Sequence, residues 1–286
     1  MKPSGIKAID VHGHIGTYKG AMQKPSLIAD KMMSGSYATV VKRAMLANTQ
    51  ITIVSHLKAL LPRFHGNPIH GNKILFNEIR NYPQLMMWVV VNPLQPDTYK
   101  QAKEMLKSHK CAGIKIHPEE HGYPIKKYGM KIFEFAEENN AVVETHSGEK
   151  NSMPEDFLKF ANDFPTVKLI VSHLGCGWDR CFTHQINTIA KSKHGNIYTD
   201  TSSAMSIFSG LLEYAVSEIG AEHILYGTDT PLYFAPMQRS RIDNADINSK
   251  AKEMILCTNA LRLFKLGANN ENNWTRHNFS RAEKHI

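Results

Sequence analysis

The stretch AIDVHGHIG, residues 8–16, contains the signal on which the predicted fold depends. It begins with an apolar run, Ala8–Val11, that is typical of a buried strand, and it continues into His12 and His14. Side chains two residues apart on a strand point the same way, so both imidazoles can bind one ion. The stretch therefore predicts a buried strand whose carboxyl end carries metal-binding chemistry.

Seven similar runs follow along the chain, with helical periodicity between them. Eight strands that alternate with helices predict an α/β fold, a single-domain (β/α)8 TIM barrel, which takes about 250 residues. An open doubly wound sheet is the alternative, and the absence of a Gly-x-Gly-x-x-Gly pattern after the first strand counts against it. The predicted strands are Ala8–Val11, Gln50–Ser55, Leu85–Asn92, Ala112–Ile116, Ala141–Thr145, Val167–Ser172, Asn196–Thr201 and His223–Gly227.

Composition narrows the class of protein. Of the 286 residues, 42% are hydrophobic and 21% charged, which excludes a disordered chain. The barrel is expected over residues 1–268, and the polar residues 269–286 are predicted to be a disordered tail.

The longest apolar run, Leu85–Val91, is far shorter than the ~20 residues of a membrane span. Four cysteines without a Cys-x-x-Cys pair indicate reduced thiols, and we expect a cytoplasmic protein. The charge of +8 is scattered, so no nucleic-acid partner is expected, and a homo-oligomer is left open.

Local patterns also predict helices and loops. Ser152 and Glu155 form a capping-box pattern that predicts a helix over Pro154–Phe164. Leu57–Lys73 and Leu232–Asn248 are expected to be long loops on the catalytic face. Cations in these loops would suit a small anionic substrate that bears a carboxylate, and solvated surface charges are the alternative. These cations are Arg63, His65, His70, Arg239 and Arg241.

Polar side chains follow five of the predicted strands at their carboxyl ends, where barrel enzymes have their active sites. Neutral imidazoles suit zinc and other borderline metals, and a carboxylate completes such a site. A water molecule on such an ion loses a proton near neutral pH and becomes a nucleophile. The residues at these strand ends are His12, His14, Lys115, His117, His146, His173 and Asp229.

The order of these residues along the chain resembles that of the amidohydrolase superfamily. The local phrases are similar to its amidohydrolase-related branch, which contains aminocarboxymuconate semialdehyde decarboxylase-like enzymes and many metal-dependent hydrolases. The resemblance covers roughly residues 8–266 and implies a metal-bearing (β/α)8 barrel. The matching phrases are IDVHGHIG (Ile9–Gly16), GIKIHP (Gly113–Pro118), VVETHSG (Val142–Gly148), LIVSHLG (Leu169–Gly175), LYGTDTP (Leu225–Pro231) and NALRLFKL (Asn259–Leu266).

The resemblance also implies a role for each residue at the strand ends. The implied metal ligands are His12, His14, His146 and Asp229. Asp229 would also accept the proton of an attacking water, and His173 would act as an acid or base beside the ion. Lys115 and His117 would contact the substrate, the ammonium of Lys115 by binding a carboxylate. We expect one divalent ion, with zinc favoured, and the alternative is a second ion held through a carboxylated Lys115 and His173.

Three functions are compatible with this set of residues. The leading hypothesis is a metal-dependent hydrolase of a small molecule, which opens an amide, lactone or ester-like bond with Asp229 as base. The alternative is a non-oxidative decarboxylase or hydratase of a carboxylated substrate on the same metal site. A non-catalytic binding protein is the third hypothesis, and the complete set of ligand-type residues counts against it.

Overall fold

A computed structural model describes residues 3–18, 26–61 and 66–266 of the chain. Within these ranges nine strands form one sheet in the order β2-β1-β3-β4-β5-β6-β7-β8-β9, in which β1 and the short β2 are antiparallel and the other neighbours are parallel. Each of the eight predicted runs overlaps one strand, so the predicted α/β class is confirmed. The strands are β1 (Ala8–Thr17), β2 (Ser34–Gly35), β3 (Thr49–His56), β4 (Leu85–Val90), β5 (Cys111–Ile116), β6 (Val142–Thr145), β7 (Leu169–Val171), β8 (Ile197–Asp200) and β9 (Ile224–Leu225).

Helices connect the parallel strands, since a parallel pair needs a crossover between its two strands. None of the helices in the described ranges combines the length and the apolar composition that a membrane crossing requires. The α-helices are α1 (Leu27–Met32), α2 (Tyr37–Leu46), α3 (Leu57–Leu60), α4 (Pro68–Glu78), α5 (Asp97–Met105), α6 (Pro118–His121), α7 (Ile125–Glu138), α8 (Pro154–Asp163), α9 (His184–Ala190), α10 (Leu211–Ile219), α11 (Ala235–Asp243), α12 (Ser249–Glu253) and α13 (Asn259–Leu263).

The side chains of the strands alternate between two apolar clusters. Met86 and Trp88 of β4 pack with Ile9 in one cluster, whereas Met87 and Val89 belong to the larger cluster that includes helix residues. Parallel sheets are commonly buried on both faces in this way. Because a slip of one residue would exchange the two sets, burial fixes the register and therefore which side chains emerge at the carboxyl ends.

The segment that follows β9 is hydrogen-bonded to β1. The backbone N–H of Asp229 donates to His12 O at 2.7 Å, and the N–H of His14 donates to Thr230 O at 2.6 Å. Gly13 and Thr230 also form a parallel bridge. These bonds hold Asp229 beside His12 and His14, although more than 200 residues separate them in the sequence.

The helix predicted over Pro154–Phe164 is confirmed as α8, whereas its predicted capping box and one predicted loop are wrong. The N-cap of α8 is Met153 and makes no side-chain hydrogen bond, because Ser152 instead closes the turn after β6. The backbone N–H of Ser152 donates to Glu149 O at 2.9 Å, and its carbonyl accepts from the N–H of Gly148 at 3.0 Å. The second error concerns Leu232–Asn248, which is not a loop because it contains α11.

The other predicted loop and the predicted tail have different outcomes. Leu57–Lys73 contains α3 and the beginning of α4, so it is also largely helical where the structure describes it. The tail predicted over residues 269–286 lies outside the described residues.

Candidate metal centre

The carboxyl ends of the strands surround a cavity of about 190 Å³. The structure brings all seven candidate residues from the strand ends into its wall. Sequence analysis did not single out the other lining residues, which come from loops and short helices without a regular pattern. These additional residues are Tyr18, Leu60, Glu149, Ser203, Leu232 and Tyr233.

Three ligand-type atoms converge at this cavity. His14 Nε2 lies 2.9 Å from Asp229 Oδ1, and His12 Nε2 lies 3.8 Å from the same oxygen. Two donors that each lie about 2.1 Å from one ion are at most about 4.2 Å apart, so both distances fit one ion. Two imidazoles and a carboxylate are a donor set that divalent transition metals prefer.

Buried partners fix the orientation of both imidazoles. Ser55 Oγ lies 2.8 Å from His14 Nδ1, and Asp200 Oδ2 lies 3.0 Å from His12 Nδ1. Because Nδ1 of each ring is engaged, Nε2 faces Asp229. Hydrogen bonds of this kind orient histidines that bind metals. The residues present therefore fit a divalent ion held by His12, His14 and Asp229.

The two rings differ in their electrostatic surroundings. Burial lowers the pKa of His14, so its neutral ring can act as a ligand at neutral pH. Burial also disfavours the charged form of His12, but the carboxylates of Glu144 and Asp200 outweigh it and raise the pKa of His12 to about 10. A metal ion that binds His12 at neutral pH would therefore displace a proton from this ring.

Lys115 lies beside His12 and pairs with a carboxylate that sequence analysis missed. Lys115 Nζ is 3.3 Å from Glu144 Oε1 and 3.2 Å from His12 Nε2, and both Lys115 and Glu144 are buried. Sequence analysis also gave no role to Asp200. The sequence does mark both acids, Glu144 and Asp200, because a carboxylate near the end of an apolar strand needs a buried partner.

His117, His146 and His173 form a second group in the wall of the cavity. His146 Nδ1 lies 3.0 Å from His173 Nε2, and the ring of His117 stacks on His146 with centroids 4.1 Å apart. His146 Nε2 lies 3.0 Å from Glu149 Oε1. The structure thus brings His146, the fourth predicted ligand, to His173 and Glu149 rather than to the three converging donor atoms.

His173 and Asp229 share an unusual backbone conformation. Their φ angles are 70° and 53°, a region that residues other than glycine rarely adopt. Such strain persists where the surrounding structure overdetermines the conformation, and it is concentrated at functional sites. Burial, together with His146, holds the pKa of His173 well below its usual range, and its Nδ1 lies 2.7 Å from Ser202 Oγ.

Among the described residues, none of the loop cations considered for substrate binding lies in the wall of the cavity. Arg239 is buried on α11 and binds Asp243 at 2.9 Å together with backbone carbonyls near the amino end of β1. Arg241 donates to Glu213 through Nη1 and Nη2 of its guanidinium. The prediction that these arginines lie on catalytic loops is therefore wrong. His70 is exposed on α4, and Arg63 and His65 lie outside the described residues.

A family model described as amidohydrolase matches residues 72–266, about two thirds of the chain. The chain belongs to the amidohydrolase family, in its aminocarboxymuconate semialdehyde decarboxylase-like branch, so the resemblance is confirmed. A comparison with curated proteins finds no match.

Solved structures of low sequence identity share the fold. The 2,6-dihydroxybenzoate decarboxylase from Rhizobium is 14% identical with a TM-score of 0.73, over 91% of this chain and 99% of its own. The 5-carboxyvanillate decarboxylase from Novosphingobium aromaticivorans DSM 12444, complexed with manganese and 4-hydroxy-3-methoxy-5-nitrobenzoic acid, is 14% identical with a TM-score of 0.69 over 92% and 97%. The dihydroxybenzoic acid decarboxylase from Polaromonas sp. JS666, with manganese and the inhibitor 2-nitroresorcinol, is 15% identical with a TM-score of 0.70 over 91% and 97%.

Proposed function

We propose that the protein is a metal-dependent decarboxylase that removes carbon dioxide from a small hydroxylated aromatic acid without an oxidant. One observation carries the proposal: the donor atoms of His12, His14 and Asp229 converge in a cavity that also exposes the buried cation of Lys115. The decarboxylases of similar fold support this function over hydrolysis. The proposal includes a (β/α)8 barrel and one divalent ion, either manganese or zinc.

The wall of the cavity offers contacts for both parts of such a substrate. Leu60, Leu232 and the ring of Tyr18 provide apolar surface for an aromatic ring. Lys115 provides a positive charge for a carboxylate. Burial, with the nearby charge of Asp229, raises the pKa of Tyr233 to about 12, so its hydroxyl keeps the proton and can donate to a substrate oxygen.

The chain itself would supply the proton that replaces carbon dioxide. A divalent ion, when bound, would polarise the oxygen atoms of the substrate. The bond between the ring and the carboxylate breaks, its electron pair stays on the ring carbon, and that carbon takes a proton that Asp229 or His173 has first accepted from water. Both side chains line the cavity. General acid catalysis of this kind contributes ~10²–10⁴-fold to a rate.

Hydrolysis is the second candidate function, because the carboxylate of Asp229 can act as a general base. Asp229 lies beside both His12 and His14, where it could accept a proton from water that attacks an amide or a lactone. Family membership is compatible with this reaction. The two functions differ in their products, since only decarboxylation releases carbon dioxide.

The test compares the products of protein loaded with Mn²⁺ or with Zn²⁺. We expect metal-dependent release of carbon dioxide from at least one acid in a panel of dihydroxybenzoates and carboxylated methoxyphenols. Lys115→Met should raise KM for that acid. Lys110→Met is the matched control, because Lys110 Nζ donates to the carbonyls of Tyr82 and Leu85 and is not part of the cavity wall. Opening of lactones or amides without release of carbon dioxide would support the hydrolase instead.

A further inference from the structure

Asp10 lies on β1 two residues before the first proposed metal ligand, and it is buried. Its carboxylate accepts three hydrogen bonds. Oδ1 accepts from the backbone N–H of His12 at 3.1 Å and from that of Thr228 at 3.0 Å, and Oδ2 accepts from Thr228 Oγ1 at 2.6 Å. A buried carboxylate needs such partners, because burial without them is costly. One side chain therefore holds both of the segments that carry the proposed ligands.

On β1, the bonds of Asp10 lie in an irregular stretch of the strand. The pairing between β1 and β3 shifts register between Asp10 and Gly13. Irregularities of this kind redirect side chains, and they are frequent next to active sites. The hydrogen bond from the N–H of His12 to Asp10 Oδ1 falls within this stretch. Asp10 therefore holds the backbone of a proposed ligand at the point where the regular strand pairing is interrupted.

In the segment after β9, the bonds of Asp10 connect to both neighbours of Asp229. Thr228 precedes Asp229, and Asp10 binds it through its N–H and its hydroxyl. The same hydroxyl accepts from the backbone N–H of Thr230, the residue that follows Asp229, at 3.2 Å. Asp229 has a φ of 53°, which a residue with a side chain adopts where its surroundings impose it. The hydrogen bonds that begin at Asp10 bracket this strained residue.

We propose that Asp10 is a positioning residue of the proposed metal centre, which holds Asp229 in its left-handed conformation and in line with His12. The described residues that line the cavity do not include Asp10, so it acts through its neighbours rather than on the ion or the substrate. Backbone bonds between His12 and Asp229 join the two segments, and Asp10 fixes the peptide groups on either side of Asp229. The inference rests on the proposed function, since that function requires the ion.

Two substitutions at Asp10 separate the effect of its hydrogen bonds from that of its charge. Asp10→Ala removes all three bonds. In Asp10→Asn the side-chain oxygen can accept from both backbone N–H groups, and the amide nitrogen can donate to Thr228 Oγ1, which can accept. A positioning role through hydrogen bonds therefore predicts that Asn restores what Ala loses.

Competition with a chelator measures the affinity of the full chain for Mn²⁺ and for Zn²⁺. We expect Asp10→Ala to bind metal about 10–100-fold more weakly than the unaltered chain, which is the scale for a residue that supports a metal ligand. Asp10→Asn should stay within about threefold of the unaltered chain. Asp243→Ala is the matched control, because its carboxylate also accepts buried hydrogen bonds, from Ser4 N–H and Arg239 Nε, but is not part of the cavity wall. It should lose stability and keep its metal affinity.

Amide hydrogen exchange measures the same role without metal. In Asp10→Ala the N–H groups of Thr228 and Thr230 should exchange at least about 10-fold faster, relative to amides of β4, because the bonds that hold them are lost or loosened. The ratio should be unchanged in Asp10→Asn and in Asp243→Ala. Thr228→Val is a second variant in case Asp10→Ala does not fold, since it removes the hydroxyl that joins Asp10 to Thr230.

Two results would overturn the proposal. One is a folded Asp10→Ala variant that keeps either its metal affinity or the slow exchange of Thr230, and the other is an Asp10→Asn variant as impaired as Asp10→Ala. Circular dichroism establishes that each variant is folded. An unaltered chain that binds neither ion would contradict the proposed function instead, and hydrogen exchange would still decide whether Asp10 holds the neighbours of Asp229.

Discussion

Two buried polar networks lie at opposite ends of β1, and they differ in what their polar atoms face. At the carboxyl end, His12 and His14 are held through Nδ1 while Nε2 faces a cavity. At the amino end, the guanidinium of Arg239 directs its nitrogens at groups of the chain itself. Its acceptors include Ser4, Ile6, Ala47 and Asp243. A network whose donors are satisfied within the chain holds the fold together, whereas one that leaves atoms facing a cavity can bind a ligand.

The largest effect is expected at the carboxyl end. Asp229→Asn keeps the size of the side chain and an oxygen that can ligate weakly, but an amide cannot accept or deliver a proton near pH 7. We expect kcat per bound metal to fall by ~10²–10⁴-fold and metal content to fall less. The measurement is turnover divided by metal content. Equal values for the two proteins would remove Asp229 from proton transfer and favour His173.

A substitution at the amino end of β1 should lower the stability of the fold rather than change metal binding or catalysis. Arg239→Leu leaves the carboxylate of Asp243 without its cation and removes one donor from the carbonyls of Ser4, Ile6 and Ala47, and removal of one partner from a buried ion pair costs about 3–5 kcal/mol. Thermal melting should then fall by about 6–20 °C, while metal content per folded protein is unchanged. Arg241→Leu is the control, since its partly exposed pair with Glu213 contributes about 1 kcal/mol or less. Similar losses in both variants would contradict the distinction.

A smaller effect is expected at Ser55, whose hydroxyl contacts Nδ1 of His14 and not the Nε2 atom that faces the cavity. Ser55→Ala removes the hydrogen bond to His14 Nδ1 and leaves His14 Nε2, the proposed ligand atom, in place. Loss of such a supporting bond typically lowers metal affinity by about 10–100-fold. Competition with a chelator measures the affinity. An unchanged metal affinity would show that packing alone orients the ring of His14.

The smallest effect is expected at acid pH, in the ion pair of Glu213 with Arg241. Hydrogen bonds from Arg241, with smaller contributions from backbone N–H groups, lower the pKa of Glu213 to about 2. Because the unfolded chain takes up this proton near pH 4.5, the stabilisation is present above that value and is lost as the pH falls toward 2. Glu213→Gln should therefore lower the melting temperature by a few degrees at most at pH 6 and leave it unchanged near pH 2.

The sequence predicted the residues at the strand ends because the pattern that marks them is local. An apolar run followed by His12 or His146 needs only the alternation of a strand to place the side chain. Arg239 could not be placed in this way, because the helix that carries it buries a guanidinium against carbonyls that lie far away in the sequence. Glu144 and Asp200 were missed for a related reason. Their partners, Lys115 and His12, come from other strands.

The hydrogen bonds between β1 and the segment after β9 also determine when the proposed metal centre can form during synthesis. A chain made from its amino end contains His12 and His14 from the beginning, but it lacks Asp229 until most of the protein has left the ribosome. The two imidazoles of β1 form an incomplete site as long as Asp229 is absent. The proposed centre can therefore acquire its full set of ligands only when the segment after β9 docks on β1, and a tightly bound ion would report that this contact has formed.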